Sequence, residues 1–98
     1  MPDFLFLMHT DVPPGTVAAS PDWPGYLATL RALGAFHGGS AIGSGRCLSK
    51  GAKPRGITEH LAGYIKVRAA NLSQAEALVQ GNPVFEAGGT VEIRELPE

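Results

Sequence analysis

Phe4-Leu5-Phe6-Leu7-Met8-His9 is the stretch whose reading decides the fold. It is short and apolar at consecutive positions. That predicts a central strand with side chains buried on both faces, because an outer strand would alternate apolar with polar. His9-Thr10-Asp11 ends the run, and Pro13-Pro14-Gly15 cannot continue it. Ser20 can cap a helix, Pro21 suits its first position and Asp22 its positive end. Trp23, Tyr26, Leu27, Leu30 and Leu33 follow with helical spacing, and Gly34 supplies the stop.

Ala35 to Ile42 reads as a second strand interrupted by Gly38 and Gly39, which predict a bulge or a close backbone approach. Residues 43–60 form a long connection without periodicity. Four glycines (Gly43, Gly45, Gly51, Gly56) and four cations (Arg46, Lys50, Lys53, Arg55) predict a mobile loop. A short hairpin with Cys47-Leu48 facing Ile57-Thr58 fits inside it. Ala62 to Ala69 is a third strand, with Ile65 and Val67 alternating with Tyr64, Lys66 and Arg68. Ser73-Gln74-Ala75-Glu76 has the capping-box pattern, with Leu72 and Ala77 placed for a staple. Gly81-Asn82-Pro83 ends that helix. Gly88-Gly89 precedes a fourth strand, Thr90 to Leu96, with Val91 and Ile93 on one face.

The order is β-α-β-β-α-β. With right-handed crossovers it predicts an α+β, ferredoxin-like antiparallel sheet in strand order 4-1-3-2, as a single domain over residues 1–98. Two helices cover one face of four strands, yet the first strand is apolar on both. Phe4, Phe6 and Met8 lie on one side, Leu5 and Leu7 on the other. A homodimer through the open sheet face resolves this. Folding of the 43–60 loop over that face is the alternative.

Composition sets the outer bounds. The area scaling of a 98-residue chain implies that about 64% of the unfolded surface is buried, enough for one modest core. Hydrophobic residues at 44% and charged residues at 17% exclude a disordered chain. Eight basic against nine acidic residues exclude a broad nucleic-acid or membrane footprint. One cysteine, Cys47, excludes an internal disulfide framework and a multi-thiolate metal site. No apolar run approaches the ~20 residues of a membrane span. Met1-Pro2-Asp3 lacks the basic flank of a secretory signal, so a cytoplasmic location is expected.

The C-terminal half carries a resemblance. Gly63-Tyr64-Ile65-Lys66-Val67, a helix with Ala75-Glu76-Ala77, and Gly81-Asn82-Pro83-Val84-Phe85-Glu86-Ala87-Gly88-Gly89-Thr90-Val91-Glu92-Ile93-Arg94 resemble the YCII-related family. Thr58-Glu59-His60-Leu61-Ala62-Gly63-Tyr64 is similar to its DGPF-domain branch, as is Leu30-Arg31-Ala32-Leu33-Gly34-Ala35 followed by Gly38-Gly39. The resemblance implies the dimeric α+β barrel. That family is largely without an assigned reaction. Some members are fused to or encoded beside transcription regulators, and some carry a His–Asp pair. Here Lys53-Pro54-Arg55-Gly56-Ile57-Thr58 replaces the Asp-Gly-Pro-Phe signature, Asn82 stands where an acidic residue is common, and no histidine opens the first helix.

The expected topology brings the end of the first strand beside the start of the third. His9 and Asp11 share a face by period two and suit a general acid/base pair; the same residues also fit a polar strand end in solvent. Tyr64, Arg46 and His60 fall at the same end as ligand-binding candidates, with the basic loop suited to an anionic molecule. Three histidines, at 9, 37 and 60, are too scattered for a metal site, and no cofactor is expected. Two functions fit. One is a small ligand-binding dimer with cofactor-free proton transfer. The other is a non-catalytic dimerisation or regulatory module.

Overall fold

The computed structural model describes residues 1–14, 22–51 and 53–97. Its elements are β1 (Asp3–His9), α1 (Trp23–Ala32), β2 (Phe36–Ala41), β3 (Leu61–Arg68), α2 (Leu72–Ala77), α3 (Pro83–Glu86) and β4 (Val91–Leu96). The four strands form one antiparallel sheet in the order β2-β3-β1-β4, which reads from the opposite edge as β4-β1-β3-β2. The chain is thus α+β, with β1 paired on both sides.

Strand alternation divides the sheet into two unlike faces. Phe4, Phe6 and Met8 of β1 are buried with Ile65 and Val67 of β3 under Tyr26 and Leu30 of α1, Ala75 of α2 and Val79 of the turn after it. The opposite face carries Leu5, Leu7 and His9 with Tyr64, Lys66, Glu92 and Arg94. No helix among the described residues packs there. The thinnest dimension, 20 Å, is that of one sheet and one helical layer.

The glycines of the second strand do both things their position suggested. Gly38 takes φ +121°, and the β2–β3 register shifts between Phe36 and Gly39. At Gly39 a Cβ would lie 2.7 Å from the Tyr64 carbonyl oxygen, so only glycine lets the strands approach this closely.

The helix caps differ from the expected ones. Asp22 caps α1, its carboxylate accepting from Gly25 N at 2.9 Å. Ser20 and Pro21 lie outside the described residues. Gly34 ends the helix at φ +69° as expected. In α2 the cap sits two residues earlier than Ser73: Asn71 accepts from Gln74 N at 2.9 Å, and the Gln74 side chain accepts from Ala70 N. Asn71 and Gln74 have the same donor-satisfying chemistry as Ser73 and Glu76, and the earlier pair wins. Leu72 is 52% exposed, so the expected staple does not form.

α2 ends earlier than expected, at Ala77 with Leu78 as its C-cap, and after a turn over residues 78–81 Asn82-Pro83 starts α3, which the sequence reading missed. Asn82 is fully buried, and its Oδ1 accepts from Val84 N at 2.9 Å and Phe85 N at 3.3 Å. An asparagine here caps the turn without burying a formal charge, which explains the neutral residue in this turn. Tyr26 ties α1 to the end of α2 by donating to the Leu78 carbonyl at 2.7 Å, and burial pushes its phenol up.

Residues 42–60 carry neither helix nor strand among the described residues, and nearly all are exposed. The arm turns back at Lys50 and Gly51, and Cys47 donates to the Gly56 carbonyl at 3.6 Å. The two limbs meet there, but the expected hairpin has no strand ladder. Leu48 is 85% exposed, so the arm's largest apolar group does not cover the sheet. The radius of gyration, 15.0 Å, exceeds the roughly 13 Å of a compact chain of this length, in keeping with an extended arm.

Candidate functional site

The open face has an apolar centre between two charged ends. At one end Asp3 bonds Arg68 Nε at 3.0 Å and Lys66 Nζ at 3.4 Å. Arg68 first, and Lys66 after it, hold the Asp3 carboxyl below its usual range. In the middle Leu5 lies between Lys66 and Arg94, and Leu7 between Tyr64 and Glu92. Both leucines are half-buried. The open face is therefore less bare than a count of apolar residues implies, because neighbouring long side chains flank the leucines.

At the other end His9 Nε2 lies 3.0 Å from Glu92 Oε1, and Arg94 donates to Glu92 Oε2 at 3.1 Å. The His60 ring stands edge-on to His9 with centroids 4.8 Å apart. A backbone bond from Thr10 N to the His60 carbonyl, at 2.8 Å, fixes the base of the arm against β1.

This geometry changes the expected pairing. Asp11 does not bond His9. Its carboxylate accepts from Thr90 N at 2.8 Å and from the Thr90 hydroxyl, clasping the start of β4. Those two bonds, more than the charge of His9, hold the Asp11 carboxyl below its usual range. The reason is competition: an adjacent backbone N–H and hydroxyl offer two fixed donors, one to each carboxylate oxygen. Glu92 takes the place expected of Asp11.

His60 joins His9 as the topology anticipated, and Tyr64 lies on the same face in the next row of the sheet. Arg46 is exposed in the arm and makes no hydrogen bond or ion pair among the described residues. Glu92 is the residue that sequence reasoning missed. Placing β4 beside β1 makes some β4 side chain a neighbour of His9, but only the observed register, Leu7 opposite Glu92, says which. No cluster of three or more metal-ligating side chains occurs among the described residues.

A carboxylate only accepts, so the bond to Glu92 puts a proton on His9 Nε2. In the neutral ring Nδ1 is then the basic nitrogen. The Arg94 bond, and after it the His9 bond, hold the Glu92 carboxyl below its ordinary value of 4.5. A depressed carboxyl stabilises the fold above that ordinary value, and the contribution is lost as pH falls through the lower folded value. Arg94→Ala should therefore raise the Glu92 titration midpoint, and His9→Ala should raise it less. Carboxyl-detected NMR titration reads both; equal midpoints in all three proteins would contradict the network.

No protein-family model matches the chain, and no curated protein matches it. No helix among the described residues is long and apolar enough to cross a membrane.

Proposed function

We propose that the chain is a small YCII-like homodimer, in which two ferredoxin-like units pack through their open sheet faces as a dimeric α+β barrel. In this reading the interface encloses a site for a small polar or anionic organic molecule. His9 moves a proton at Nδ1, Glu92 orients the ring, and Arg94 and the arm's Arg46 attract the anion. Tyr64 and His60 border the site. The chemistry requires no cofactor, and the compartment proposed is the cytoplasm. The observation that carries the reading is the hydrogen bond between His9 and Glu92, 3.0 Å long, with a second imidazole against it.

A screen of small carboxylates and phosphates by thermal shift tests it. A ligand that stabilises the wild type should lose most of that effect in His9→Gln and in Arg94→Ala. Equal stabilisation of all three would remove the site. A second reading, a non-catalytic dimerisation or regulatory module, is favoured by one observation: Asp11 is committed to Thr90 and serves the fold.

A further inference from the structure

The helix-side face of the β2–β3 edge contains a run of positions with little or no side chain. Strand pairing puts Gly39 opposite Ile65 and Ala41 opposite Gly63, and both pairs point toward the helices. Three of the four residues in that patch are therefore glycine or alanine. A packed α+β core would ordinarily fill such positions with branched side chains. Here the space is a hollow of about 450 Å³. Its floor is bare backbone around Gly39, Ala41 and Gly63. Its walls are Met8 and Ile65 from the sheet, Trp23 and Leu27 from α1, Phe36, and Val84 from α3. It lies on the opposite side of the sheet from His9 and shares with that site only Tyr64, whose side chain alternation places on the open face.

We infer that this hollow is a binding site for a small, flat aromatic molecule carrying one polar substituent. The volume falls in the range of small-ligand pockets. A floor of exposed peptide planes with Trp23 and Phe36 beside it matches a planar apolar ligand. The polar requirement comes from the strand edge. Ile42 N bonds the Ala62 carbonyl at 3.0 Å. By antiparallel alternation Ser40 bonds Tyr64, while the N–H and C=O groups of Gly39 and Ala41 point away from β3. No strand lies beyond β2 among the described residues. The Ala41 carbonyl already accepts from Ser40 Oγ at 2.9 Å, so the Gly39 N–H and C=O and the Ala41 N–H are the edge groups that can bond a hydroxyl or carboxyl. The site is independent of the proton-transfer reading.

2-Naphthol is the probe. Titrated into the ¹⁵N-labelled protein, it should shift the amides of Gly39, Ala41 and Gly63 and the indole N–H of Trp23, the chain's one tryptophan, in a saturable manner. The His9, Glu92 and Arg94 signals should stay in place. Ala41→Leu, which adds bulk to the floor from an outer strand, should weaken binding by about tenfold or more. Gly63→Val should do the same, although its Cβ would also meet the Ser40 carbonyl oxygen at 3.0 Å. Circular dichroism checks that each variant is folded. Absence of saturable shifts in the wild type would overturn the inference. So would undiminished binding by folded Ala41→Leu. Shifts of the β2 amides by an apolar hexapeptide but not by naphthol would also overturn it, since they would mark a strand-docking edge.

Discussion

Phe6→Ala should lower stability by about 3–5 kcal/mol, a large part of what a domain of this size possesses. Phe6 is 0% exposed and sits at the centre of the sheet, opposite Ile65 on one side and Ile93 on the other. It belongs to the same buried cluster as Tyr26 and Leu30 of α1. No small movement closes the space its ring would leave, because β1 is held by strands on both edges. The urea midpoint should fall with little change in slope. A loss below about 1 kcal/mol would mean that the core is centred elsewhere.

The second large effect is on assembly. Leu5→Glu should leave the single chain folded and dissociate the proposed dimer. Leu5 lies between Lys66 and Arg94 on the open face, so a glutamate there has two cationic neighbours within one chain. In a face-to-face dimer the same substitution introduces two carboxylates into a desolvated interface. That should weaken association about a hundredfold or more. Sedimentation should then show a monomer, while circular dichroism and the thermal transition change little. A folded variant with an unaltered association state would place the interface elsewhere.

The fold was largely legible because its signals are local and redundant. The two-sided apolar run of β1, the alternation in β3, the glycine stop after α1 and the glycine pair in β2 each follow from hard steric or burial rules. The caps were legible only as a type. Asp22 caps α1, and Asn71 rather than Ser73 caps α2, because neighbouring polar residues compete for the same orphan N–H groups at similar free energy. α3 escaped notice because four residues have no periodicity, and the asparagine that starts it also reads as a stop.

The site was legible in part, and for a different reason. Period two placed His9 and Asp11 on one face of β1, and topology placed His60 at the same end. Same-face alternation cannot say which carboxylate an imidazole meets. Asp11 is close to His9 in sequence, but Thr90 offers it two donors. Glu92 is 83 residues from His9 and reaches it only through the β1–β4 register. The helix-side hollow was not legible in the sequence, where only Gly38 and Gly39 stood out, as a bulge or close backbone approach. Its meaning required knowing that Gly39, Ala41 and Gly63 share a face.

The central claim is that the open face of the sheet is an interface between two copies of the chain, with His9 and Glu92 inside it. Static light scattering at micromolar concentration tests it most directly. The chain mass is 10.2 kDa, and the account predicts a single species of about 20 kDa. A monodisperse species of one chain mass at the same concentration would contradict it.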